Sequence, residues 1–194
     1  MTTPREKIIL TTCDLLERQG YHASGLNEII QASGTPKGSL YHYFPGGKTE
    51  IAVEAVHSAA EATLRIIEDH LAGYDDPAEG IRTLLEEIAR RVEDSGYAAG
   101  GPLMLVALET VNSSPAINQA CRQAYQRIQQ VFSVRLCNAG LSESQADSLA
   151  LVCVAAIEGA TLLSRTLHSA QPLRQAAVFL EHQIRLFLKS SNGG

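Results

Sequence analysis

Apolar residues recur along this chain at intervals of three and four, with no sustained alternation at intervals of two. That spacing puts them on single faces of helices, whereas half-buried strands need strict alternation. Ile8, Ile9, Thr12, Leu15 and Leu16 make one such face in a helix expected over about Pro4 to Gln19, with Thr3 as N-cap, Pro4 in the first turn and Gly20 as the stop. Leu26, Ile29 and Ile30 make a second, in a short helix that Ser24 can cap and Gly34 ends. Thr35 and Pro36 follow, and proline suits the first turn of a new helix over Pro36 to Phe44. A long helix is expected from Lys48 to about Gly73, with Ile51, Ala52, Ala55, Ala59, Ala62, Ile66 and Ile67 along one side. A break at residues 73–77 (GYDDP) opens a second domain, with helices near 77–95, 102–111, 115–138, 142–168 and 172–190. The expected fold class is all-α.

The stretch from Ser24 to Phe44 is the most specific. Two short helices joined by a tight glycine-containing turn make a helix-turn-helix, here with its motif over 25–44. In the second helix only Leu40 and Phe44, four apart, clearly belong to a core. Lys37, Ser39, Tyr41 and His42 project outward, giving one cation, several hydrogen-bonding groups and aromatic surface that can lie against sugar and phosphate. Gly38 costs about 1 kcal/mol in a helix interior relative to alanine, which points to a close approach that a side chain would obstruct. Taken alone, the helix also fits a solvated face on an ordinary helical hairpin.

These residues resemble the N-terminal domain of TetR-family transcriptional regulators. There a helix ending in Gly-Tyr precedes an Ile-x-x-x-x-Gly helix, a Lys-Gly-Ser-Leu-Tyr-x-x-Phe recognition helix and a Lys that opens the next helix. Gly20, Tyr21, Ile29, Gly34, Lys37 to Tyr41, Phe44 and Lys48 fill those positions. The loop Phe44-Pro45-Gly46-Gly47-Lys48 and the runs Gly101-Pro102-Leu103 and Ala107-Leu108-Glu109 further resemble the LmrA/YxaF-like branch, although Gly100-Gly101-Pro102 stands where members commonly show Gly-Cys-Pro. The resemblance implies a three-helix DNA-binding domain over 1–48, continuing into a connecting helix over 48–73, and a regulatory ligand-binding and dimerisation domain over 74–194.

Site expectations follow on that footing. Ser24, Gly25 and Asn27 should meet phosphate through backbone N–H groups or short side chains, and Lys48 should meet phosphate too. Lys37, Gly38, Ser39, Tyr41, His42 and Tyr43 should enter the major groove of a palindromic DNA operator, with Lys37 and His42 nearest the base edges.

The last two helices combine small residues (Ala146, Ser148, Ala150, Ala155, Ala156, Gly159, Ala160) with more apolar surface over 176–188 than a thin outer helix buries alone. A two-fold four-helix bundle built from two copies would cover it, with Leu149, Val152, Ala156, Phe179, Gln183 and Phe187 at the interface; an ordinary intrachain core is the alternative. The resemblance favours the homodimer. It also implies a small apolar or amphipathic effector in the second domain, which reorients the connecting helix and releases a repressor from DNA. The pocket residues expected are Leu64, Ile67, His70 and Leu71, then Tyr97, Met104, Leu105 and Leu108, then Cys121, Tyr125, Ile128 and Phe132, each of which also suits plain packing.

Charge tempers the DNA reading. The chain carries a net charge of -5, yet residues 1–48 hold five Lys and Arg against four acids. A DNA-facing surface so weakly basic should bind weakly alone, and two copies would help. Enzymatic activity is not expected: the six histidines are scattered and no G-x-S-x-G or H-E-x-x-H occurs. The four cysteines, Cys13, Cys121, Cys137 and Cys153, lack C-x-x-C spacing and read as buried thiols, so no metal and no cofactor is expected. No run of eighteen apolar residues is evident, and the expected location is cytoplasmic, without a membrane partner. A helical protein-interaction or small-molecule-binding module without DNA regulation is the rival reading.

Overall fold

The computed structural model describes residues 2–191. Among them are nine helices and no strand: α1 (Pro4–Ala23), α2 (Leu26–Ser33), α3 (Lys37–Tyr43), α4 (Gly47–Ala72), α5 (Pro77–Asp94), α6 (Leu103–Thr110), α7 (Pro115–Asn138), α8 (Glu143–Leu167) and α9 (Gln171–Ser191). The protein is all-α. The helices form two compact units, one running to Ala62 and taking in Gly101–Ala124, the other made of Thr63–Gly100 and the chain from Tyr125 onward. This partition differs from a single boundary near residue 74, because α6 packs along α1.

In the first unit, α1 starts where Thr3 caps it. The Thr3 hydroxyl accepts from the Glu6 backbone N–H at 3.2 Å, and the Glu6 carboxylate accepts from the Thr3 N–H at 2.8 Å. The helical backbone breaks at Gly20 as expected, with φ 78°, and one further short turn carries α1 to Ala23. Helix α2 ends as read, at left-handed Gly34, where the N–H groups of Gly34 and Thr35 return to the carbonyls of Gln31 and Ile30. Ile8, Ile9, Ile29, Leu40, Phe44 and Ile51 close the core of α1–α4, with Cys13, Leu15, Leu26, Ile30 and Tyr43 packed on its edge. Each of the six comes from a helical face that the spacing identifies.

In the second unit, α5 presents Ile81, Leu84, Leu85, Ala89 and Val92 to α8 and α9. Leu173, Ala177, Leu180 and Ile184 of α9 are the buried counterparts. Charged pairs flank that seam: Arg174 takes both oxygens of Glu93, at 3.0 and 2.5 Å, and Arg185 bridges Asp76 and Glu181. The loop before α5 is held by Arg135 of α7, whose guanidinium donates to the carbonyls of Tyr74 and Asp75.

Helix α8 is long and apolar enough by composition to cross a membrane, with a mean hydropathy of 1.7 in its most apolar window, although Asp147, Ser148 and Glu158 interrupt its apolar run. About two fifths of that window, 39%, is buried within the chain. The remainder includes Leu151, Val152, Leu162 and Leu163, an exposed apolar face.

Candidate nucleic-acid interface

Helix α3 is only seven residues long, too short to be stable alone, and two inward anchors fix it. Leu40 and Phe44 are fully buried, which aims the opposite side of the helix outward. Lys37, Gly38, Tyr41 and His42 are exposed, and Ser39 and Tyr43 are half-buried. The rings of His42 and Tyr43 meet edge to face at 5.1 Å, and Tyr43 also leans on the core, so its ring is shared between packing and surface. A Cβ at Gly38 would meet nothing within 4 Å. No contact within the chain explains the glycine there.

The N-terminus of α2 differs from the sequence reading in one residue. Gly25, not Ser24, is the N-cap. Ser24 is buried, and its hydroxyl donates to the Gly20 carbonyl at 2.6 Å, so its side chain is not offered to a phosphate. The cause is the kink at Gly20, which turns the chain so that the Ser24 hydroxyl closes the last turn of α1. Gly25 is half-buried with open space around it, and Asn27 is exposed.

Lys48 lies in the first turn of α4. Its ammonium donates to the His22 carbonyl at 3.4 Å and stands over the Tyr21 ring, 4.2 Å from the centroid. Burial lowers its pKa, and the charge of Glu109 works the other way. Tyr21 and His22 therefore hold the Lys48 ammonium in place. The sequence reading carried Gly20-Tyr21 only as part of a pattern and gave neither ring a role.

The expected pocket residues divide between the units. Met104, Leu105, Leu108 and Cys121 belong to the first, where Leu108 is 65% exposed and Cys121 is buried. Leu64, Ile67, His70, Leu71, Tyr97, Tyr125, Ile128 and Phe132 belong to the second. There Leu64, Ile67, Leu71, Ile128 and Phe132 are buried, and the His70 ring pairs with the Thr83 hydroxyl at 3.0 Å. Tyr97 adopts a left-handed backbone after α5 and packs on the cluster of Ala89, Val92, Ala160, Ala170 and Leu173. Tyr125 donates to Glu158 of α8, a residue the sequence reading did not single out. Burial pushes the Glu158 carboxyl up to about 7.

Of the expected interface residues, Leu149, Val152, Phe179, Gln183 and Phe187 line one apolar groove of about 220 Å³, together with Ser148 and Leu180; Ala156 lies outside it. Phe179 is 59% exposed and Val152 48%.

All four cysteines are free thiols. Burial pushes Cys121 up to about 11 and Cys153 up to about 12. Cys13 and Cys137 are only half-buried, which departs from the reading of four buried thiols. Among the described residues no three His, Cys, Asp or Glu side chains gather where a metal could be held.

Residues 8–55 match the family model "Bacterial regulatory proteins, tetR family", and residues 77–178 match "Transcriptional regulator LmrA/YxaF-like, C-terminal domain". The chain is 41% identical over 169 residues to the HTH-type transcriptional regulator LmrA of Bacillus subtilis, covering 87% of this chain and 90% of that one. It is 37% identical to the HTH-type regulator YxaF of the same organism, covering 87% and 88%. A TetR transcriptional regulator from Chloroflexus aurantiacus superposes with a TM-score of 0.80 at 27% identity, over 94% of each chain. CifR, a TetR-family regulator solved with a 26-base-pair double-strand operator, superposes with a TM-score of 0.78 at 20% identity, over 91% of this chain and 94% of that one.

Proposed function

Because this chain belongs to the TetR family of bacterial regulatory proteins, in its LmrA/YxaF-like branch, we propose that it is a homodimeric repressor that a small-molecule effector releases from a palindromic operator. That it is a DNA-binding transcriptional regulator, and not an enzyme, follows from the family itself.

The observation that carries the finer reading is the outward face of α3. Leu40 and Phe44 pin the helix from beneath, and Lys37, Gly38, Ser39, Tyr41 and His42 are left to face a groove. A recognition helix contacts bases through such a short set of side chains, while the phosphate contacts that position it come from around the motif. Gly25, Asn27 and Lys48 supply those positions here. A TetR-family protein of the same fold, CifR, is solved on operator DNA.

The dimer is supported by the groove between α8 and α9. Its lining is apolar, and Phe179, Phe187 and Val152 stand exposed around it. A second copy of the same pair of helices is self-complementary to such a face. Two copies also place two recognition helices on successive major grooves, which compensates for the weak positive charge of each.

An effector acts by population shift: it stabilises the geometry in which the two recognition helices no longer match the operator. The buried apolar residues of the second unit, Leu64, Ile67, Leu71, Ile128 and Phe132, suit an apolar or amphipathic molecule.

Footprinting on DNA upstream of the protein's own gene tests the reading. Saturable protection of a palindrome by two chains supports it, and binding that never exceeds the level on unrelated DNA overturns it. A screen of apolar and amphipathic compounds against the complex then asks whether any releases the DNA.

A further inference from the structure

The runs Gly101-Pro102-Leu103 and Ala107-Leu108-Glu109 bracket α6, and the geometry gives both ends of that helix a partner on α1. At the start, the Gly101 N–H donates to the Glu17 carboxylate at 3.0 Å. At the end, the Glu109 carboxylate accepts from the His22 backbone N–H at 2.8 Å, and the Glu109 carbonyl pairs with His22 Nε2 at 3.2 Å. Between them Leu103, Val106 and Thr110 are buried.

The Glu109 carboxylate occupies the space a side chain would take at Gly20. A Cβ built there would lie 2.8 Å from Glu109 Cδ, closer than carbon atoms approach, and the φ of 78° already disfavours any other residue. Gly20 thus serves twice: it lets the backbone kink and it admits the carboxylate. His22 then links the pieces. Its N–H is held by Glu109, its carbonyl accepts from Lys48, and the neighbouring Tyr21 ring lies under the same ammonium.

We propose that Glu109 is a positioning residue for DNA binding: by holding the Tyr21–His22 backbone from α6, it fixes where Lys48 presents its ammonium to a phosphate. The acceptor oxygen, rather than the negative charge, performs this role, since charge beside Lys48 competes with the phosphate. Glu109 touches no DNA itself. A displacement of the end of α6 would be transmitted to Lys48 through His22, without any change in α3. This inference rests on the reading of Lys48 as a phosphate contact.

A double-mutant cycle on the full-length chain, read as operator affinity and its salt dependence, separates the possibilities. Lys48→Ala should weaken binding and lower the salt slope by about one; unchanged affinity would overturn the reading of Lys48 and this proposal with it. Glu109→Ala should weaken binding by no more than Lys48→Ala does, since a positioning residue cannot contribute more than the residue it positions. In the Lys48→Ala background the same change should cost little, because a positioning residue acts only through the residue it positions. Glu109→Gln keeps an acceptor and discards the charge, so it should bind at least as tightly as the parent chain. Additive losses in the cycle, or a Glu109→Gln variant as weak as Glu109→Ala, would overturn the role given to Glu109 while leaving Lys48 as a phosphate contact. The Gln variant also guards against a general loss of folding in the Ala variant.

Discussion

Leu40 of α3 and Phe44, which caps the C-terminal end of that helix, sit one turn apart, both fully buried in the cluster that also takes Ile8, Ile29 and Ile51. A seven-residue helix has little stability of its own, so this pair determines both its existence and its orientation. Everything the helix offers outward depends on them. Shortening Phe44 should therefore disturb DNA binding through the fold, whereas changes on the outward face should leave the fold intact.

Gly38 separates those two effects with opposite signs. Its Cβ position is open, so Gly38→Ala introduces no clash and should raise stability through helix propensity, by less than the roughly 1 kcal/mol of a helix interior because it lies in the first turn. The same methyl group should obstruct the approach to DNA and weaken operator binding. Thermal unfolding and fluorescence anisotropy on one preparation check both. A variant that is more stable and binds as before would remove Gly38 from the interface.

Lys37 and His42 are exposed at opposite ends of α3, and each should affect sequence preference rather than overall affinity. Lys37→Ala or His42→Ala should cost about 1–3 kcal/mol on the preferred operator and relax selectivity at the base pairs it faces. Binding to a library of operator variants shows whether particular positions lose discrimination. A uniform loss across the library would make these residues phosphate contacts instead.

Phe179 offers a test of the dimer. It is 59% exposed on the rim of the α8–α9 groove, so Phe179→Glu should leave each chain folded. A carboxylate there would have to be desolvated without a partner when two copies meet. Sedimentation velocity should find a monomer, with operator affinity greatly reduced. A variant that remains dimeric would place the interface elsewhere.

Glu158 predicts a pH dependence whose sign can be worked out. Its carboxyl binds a proton more tightly in the folded chain, at about 7, than in the unfolded chain, where the ordinary value of 4.5 holds. Between those values the folded state carries more protons, so stability falls as pH rises through the window. The slope of one such group is about 1.4 kcal/mol per pH unit at its steepest. Glu158→Gln keeps a hydrogen-bonding partner for Tyr125 without a charge to desolvate, and should flatten this part of the profile. Urea unfolding of both chains across the window gives the comparison; equal slopes would assign the dependence to another group.

The helices were legible in the sequence because their signals are local. Thr3 and Glu6 stand three apart as a capping box requires, Gly34 ends α2 in the left-handed region, and the spacing of Ile8, Ile29, Leu40 and Phe44 identifies the core of the reader. What escaped depends on distant partners or on choices between neighbours. Ser24 and Gly25 are both competent caps, and only the kink at Gly20 decides between them. Glu109 meets His22 across 87 positions of sequence, so nothing near either residue announces the pairing. Tyr97 takes a left-handed backbone and packs on a cluster drawn from α5, α8 and α9, which no local spacing announces.

The packing of α6 against α1 bears on attempts to build hybrid regulators. A DNA reader cut out at residue 73 and grafted onto another sensor would leave behind Gly101 and Glu109, and with them the partners of Glu17, Gly20 and His22. A transplant that preserves the operator specificity of this chain must carry the α6 segment along, or supply a host helix whose last turn ends in an acceptor at the same place.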